Sequence, residues 1–243
     1  MVPLPTPPSP RKRAKTGGRV AQVTPDRIID AGRRIGLPEL SIQGVAAALG
    51  VSSAAIYRHV PSRLALERLV GEAILADLAL VDDPAEPVAA HLVGLAVRLR
   101  AFALAHPGTA GYLQRMFPRG TSGTRLLAAE VAALGRRGYD PSASVVLASA
   151  VATISLGLIA AEEARETLAV TDPDAVEAET RETLSVIAAD PVLSAAHAGL
   201  PDVTPDEFFR VLVTTFVDGL LARLPPGRPA VDVLREPQRP DPR

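Results

Sequence analysis

The stretch LGVSSAAIYRHVPSR, Leu49 to Arg63, sets a glycine turn, two serines and two alanines directly before Tyr57, Arg58 and His59, with Arg63 close behind. A phenol, an imidazole and guanidinium groups are side chains that hold phosphate oxygens, the guanidinium as a planar fork of donors. Small residues beside them let a bulky partner come near. The chemistry on offer is therefore phosphate binding. Bond-breaking machinery is not visible: G-x-S-x-G, H-E-x-x-H, G-x-G-x-x-G and the Walker A pattern are absent, and His91, His106 and His197 stand alone in sequence. The chain is read as no enzyme, with no cofactor.

Such groups need rigid elements beneath them. Ser41 can cap a short helix whose inward positions are Val45, Ala46 and Leu49; Gly50 then turns the chain, and Ser52 caps a second helix with Val51 and Ile56 facing inward. This is helix-turn-helix spacing. Ala46 is small enough for the two helices to cross closely, and a turn this tight favours a glycine at positive φ. Upstream, Thr24-Pro25 opens a helix with the stripe Ile28, Ala31 and Ile35.

The rest of the chain reads as helix too. Of 243 residues 47% are hydrophobic but only 3% aromatic, with no Trp, so the core is aliphatic and alanine-rich and suits close-packed helices. The expected fold class is all-α. Asp83-Pro84, Asp140-Pro141, Asp172-Pro173, Asp190-Pro191 and Thr204-Pro205 each set a cap oxygen before a proline, a pair that suits a helix start. Glu207 makes Thr204 a capping box. Four units are expected: a Pro-rich, basic, disordered arm at 1–22, a helix-turn-helix domain at 23–70, a helical body at 71–224 and a flexible tail at 225–243.

Charge is unevenly spread. The net charge is −1, yet Arg11 to Leu69 carries +7 and the remainder −8, a basic head on an acidic body. That asymmetry points to a polyanionic partner. Cysteine is absent, which excludes disulfides, a thiolate nucleophile and Cys-ligated zinc, and no metal site is expected. The first residues form no secretory pattern, so a cytoplasmic location is expected.

Thr24 to about Val70, with TPDRIIDAG, LSIQGVAAALGVS and IYRHVPSRLALERLV, resembles the DNA-binding domain of the tetracycline-repressor (TetR) family of bacterial transcription regulators. The resemblance implies a pseudo-palindromic double-stranded DNA operator as partner. It implies that Tyr57 and His59 hold phosphates and that Arg63, where a lysine is usual, does so at a helix N-terminus. Gln43 matches a base-touching position of some members, and Ser53, Ala54 and Ala55 match the exposed face of the recognition helix. Alanines cannot donate hydrogen bonds, so base reading would fall on Gln43, Ser53 and Arg58, helped by DNA shape. Arg27, Ser41 and Ser52 complete the expected contacts of the head. Arg11, Lys12, Arg13 and Lys15 of the arm would follow the minor groove or phosphates.

In the body, 21 residues between Asp140 and Glu162 carry no charge. That length could span a membrane, but Ser142, Ser144, Ser149, Thr153, Ser155 and Gly157 make the segment too polar, and no membrane partner is expected. An all-round apolar helix must be covered all round. The resemblance implies a homodimer through the helices at 141–167 and 205–224, and a small-molecule effector within the body whose binding releases DNA. Phe102, His106, Tyr112, Gln114, Met116, Phe117 and Thr153 are the candidate effector contacts, although core packing explains the apolar ones equally well. An all-helical ligand carrier or enzyme without DNA function is the alternative.

Overall fold

The computed structural model describes residues 23–235. It is all-α: twelve helices and no strand among the described residues. The expected basic arm, with Arg11, Lys12, Arg13 and Lys15, lies outside them.

Four helices make the head: α1 (Pro25–Ile35), α2 (Ile42–Leu49), α3 (Ser53–Tyr57) and α4 (Arg63–Leu75). Each begins on a hydroxyl cap. Thr24 Oγ1 accepts from Arg27 N, Ser41 Oγ from Gly44 N, Ser52 Oγ from Ala55 N and Ser62 Oγ from Ala65 N, at 3.0 to 3.4 Å. Each bond satisfies one orphan N–H of a first turn. Gly50 ends α2 at φ 67°, the left-handed turn that the helix-turn-helix spacing requires. Ile28, Ala31, Val45, Ile56, Leu66 and Val70 have no exposed surface and form the head's core.

The body follows as α5 (Val88–Ala105), α6 (Thr109–Met116), α7 (Thr121–Arg136) and the long α8 (Pro141–Thr171). An outer hairpin, α9 (Pro173–Ala189) and α10 (Pro191–Ala198), leads to α11 (Pro205–Arg223) and α12 (Ala230–Arg235). The caps expected at Asp140, Asp172, Asp190 and Thr204 all form, the last as a capping box with Glu207. Asp83-Pro84 does something else. Asp83 Oδ1 accepts from Ala85 N and its carbonyl from Glu86 N, closing a turn, and α5 begins at Val88. Within the segment expected as a tail, α12 packs against α8 with Ala230 buried.

The first half of α8 is the axle of the body. Ala143, Leu147, Val151 and Ile159 bury against α5, α6, α7 and α11. By length and composition α5 and α8 are both apolar enough to cross a membrane; here each packs within the body. Arg100 of α5 ties three helices together: Nε donates to Glu162 Oε2 of α8 at 2.8 Å, and Nη1 to Asp206 Oδ1 of α11 at 3.1 Å. Beyond Glu162 α8 has no further fully buried residue, and α9 and α10 bury none.

The link between α4 and α5 is clamped from the end of α7. Arg137 Nη1 donates to Asp82 Oδ1 at 2.7 Å and Arg136 Nε to Asp82 Oδ2 at 2.9 Å, while Arg137 also reaches the carbonyls of Asp83 and Glu86. Burial pushes the Asp82 carboxyl up, but the hydrogen bonds from the two arginines outweigh it and hold it below its ordinary value. A depressed carboxylate stabilises the fold above its unfolded pKa, about 3.9, and loses that contribution as pH falls through the lower folded value. Asp82→Asn is therefore expected to lower the thermal midpoint at pH 7 by about 2–4 °C, with the gap to wild type closing in acid. An equal gap at pH 2 and pH 7 would remove Asp82's charge from the account.

Candidate nucleic-acid surface and ligand cavity

The residues expected to meet phosphates are displayed at the junction of α3 and α4. Tyr57 is 50% exposed although aromatic, Arg58 and His59 are exposed, and the Arg63 side chain keeps 66% of its surface. Ile56 and Val60, on either side, are buried and fix this short segment to the core. Arg63 opens α4, whose free N–H groups favour anions, and its Nε rests 3.1 Å from Glu67 Oε1 one turn on. Gln43 and Ala54 are exposed; Ser53, Ala55 and Arg27 are partly so. Ser41 and Ser52 spend their hydroxyls as helix caps, so their role in the head is first structural. His59 also borders a shallow cleft with Arg68 and Arg119, two cations that the sequence pattern does not connect to it.

Helix α4 joins this surface to the body. Its Gly71 faces the ring of Tyr112 on α6, where a β-carbon would lie 2.4 Å from Cζ, so only glycine permits the approach. One residue on, Glu72 caps the start of α7: Oε2 accepts from Ser122 N at 2.7 Å, and the Glu72 carbonyl accepts from Ser122 Oγ at 2.9 Å. Burial, with the Glu72 charge adding to it, pushes the Tyr112 phenol up to about 12.

Between α4, α5, α6, α7 and α8 lies a cavity of about 650 Å³. Leu75, Leu99, Leu113 and Leu126 form its inner wall. Val145, Ser149 and Thr153, exposed on one stripe of α8, and exposed Gln114 stand at its mouth. Of the seven candidate effector contacts, Gln114, Phe117 and Thr153 line this space. The other four do not. Tyr112 is spent on Gly71 and Met116 is core; His106 closes the end of α5, with Nδ1 2.9 Å from the Phe102 carbonyl and its ring 4.4 Å from that of Phe102.

Two cavity features escape the sequence pattern. Glu130 of α7 lines the wall while only 4% exposed, and its Oε1 is 2.8 Å from Nε2 of His91, itself 1% exposed. The two are 39 positions apart, so neither has a local signal. No group of metal-binding side chains occurs among the described residues.

No family model and no curated protein matches the chain. Solved structures do. ActR of Streptomyces coelicolor in complex with actinorhodin is 22% identical with a TM-score of 0.69, the match covering 83% of this chain and 97% of that one. A possible TetR family transcriptional regulator from the same organism is 23% identical with a TM-score of 0.66, over 82% and 99%. A TetR variant of Acinetobacter baumannii in complex with minocycline is 19% identical with a TM-score of 0.57, over 83% and 98%. The chain thus has the fold that TetR-family proteins share, along nearly the full length of each.

Proposed function

We propose that this chain, built on the TetR fold, is a member of that family: a dimeric DNA-binding transcriptional repressor released from a pseudo-palindromic operator by a small molecule. The observation that carries the reading is the exposed cluster Tyr57, Arg58, His59 and Arg63 at a helix-turn-helix, joined by α4 to a largely apolar cavity. Gln43, Ser53 and Arg58 read base edges; Tyr57, His59 and Arg63 grip phosphates. Arg27 adds a contact from α1, and Arg11, Lys12, Arg13 and Lys15 add non-specific attraction. The cavity is the effector site, with Gln114, Phe117 and Thr153 among its contacts; similar proteins crystallised with actinorhodin and minocycline support that use of the body.

Dimerisation runs through α8 and α11. Ile154 on α8, and Phe208 and Val211 on α11, are 41 to 59% exposed, apolar surface that a second copy would cover. Ligand binding moves α4, and with it the spacing of the two heads. Fluorescence titration of duplex DNA from beside the chain's own gene tests the docking. Affinity is expected to fall steeply between about 50 and 200 mM salt. Affinity insensitive to salt would reject phosphate gripping by this surface.

A further inference from the structure

Glu130 is a costly residue for the wall of a leucine-lined cavity, because a buried carboxylate must recover its lost hydration from partners. Its partner among the described residues is His91, at 2.8 Å. The nearby cations serve another group. Arg136 and Arg137 both bind Asp82, whose Oδ1 lies 3.4 Å from the far nitrogen of His91. The order across the fold is therefore two guanidiniums, Asp82, His91, Glu130, cavity. The end that meets the cavity is the carboxylate, with a single imidazole behind it and apolar side chains around it. At the mouth the polar groups are neutral: Gln114, Ser149 and Thr153.

An apolar cavity with one charged group selects its ligand by that charge. We propose that the cavity takes a lipophilic cation: a largely apolar molecule with one protonated amine that docks on Glu130, its other end toward the α8 stripe. An anionic molecule of the same shape is rejected, since it would bury two like charges together. This inference rests on the cavity being the effector site.

The test uses N-phenyl-1-naphthylamine, an uncharged lipophilic fluorophore, bound to the full-length protein and displaced at pH 7 by decylamine, decanol or decanoate below their micellar concentrations. Chain length is constant, so apolar burial is matched and only the head group varies. Decylamine is expected to displace the dye at a concentration at least about tenfold lower than decanol, with decanoate weakest. Glu130→Gln keeps the shape and a hydrogen-bonding group toward His91, and is expected to bring amine and alcohol close together. Decanoate competing as well as decylamine in the wild-type protein would overturn the proposal without any variant. A series unchanged in a folded Glu130→Gln protein would overturn it too. Ala152→Phe, which fills the cavity from α8, separates the two levels. If the wild-type protein takes up no dye, or Ala152→Phe leaves uptake unchanged, the effector-site reading fails and takes the ligand class with it. Dye uptake lost in Ala152→Phe, with amine preferred over carboxylate, supports both.

Discussion

Alanine at both Tyr57 and Arg63 is expected to lower affinity for duplex DNA by about 10³-fold in a dimer and to leave the head folded. The size follows from counting contacts. A charge-assisted bond to phosphate contributes about 1.5–3 kcal/mol and a phenol bond about 0.5–1.5, so losing one of each in both heads removes at least about 4 kcal/mol. Removing one phosphate-bound guanidinium per head also reduces the slope of log affinity against log salt by about 2. The fold has little to lose. Tyr57 is half exposed, and the Arg63 pairing with Glu67 is a surface contact of the kind that contributes at most about 1 kcal/mol. Anisotropy titrations across a salt series, with melting curves of the same samples, check both halves. A doubly substituted protein with unchanged salt slope would place phosphate binding on another surface.

The second large effect is internal. Tyr112→Ala is expected to cost about 3–5 kcal/mol, because it empties a ring that is 1% exposed and packed on Gly71. Gly71→Ala alone is expected to cost about 1–3 kcal/mol, since its new methyl meets that ring. With the ring gone, the methyl has room, and the two costs sum to less than their separate values. Denaturant unfolding of the four proteins in the cycle measures this coupling. Strict additivity would mean that α4 and α6 do not press on each other there. The same contact bears on regulation. Helix α4 starts at Arg63, on the exposed surface, and ends at Leu75, in the cavity wall, with Gly71 and Glu72 fixed to α6 and α7 between them. A ligand that shifts α6 or α7 would thereby act on the helix that carries Arg63, the proposed phosphate contact.

The head was legible in the sequence because its determinants are local. A cap such as Ser41 acts on Gly44 N, and Gly50 acts on its own φ, so spacing alone reveals them. The cavity was legible only in part because its determinants are distant. A scarce aromatic looks the same in sequence whether it lines a space, as Phe117 does, or fills one, as Tyr112 does. Likewise His91 acquires meaning only when α5 and α7 bring it to Glu130, 39 residues away, and to Asp82 on the connecting segment. Asp83-Pro84 misleads for a related reason: the pair suits a helix start and a turn equally, and Arg137, just past α7, holds the carbonyls of Asp83 and Glu86 at the two ends of that turn.

The central claim is that two copies of one cationic helix-turn-helix, related by symmetry, read neighbouring grooves of a duplex. Selection of bound sequences from a pool of random duplexes tests it most directly. The account predicts an enriched inverted repeat whose half-site centres lie about 10 base pairs, roughly 34–36 Å, apart, with enrichment lost when Tyr57 and Arg63 are both alanine. No enrichment over the starting pool, or a single unrepeated site, would contradict it.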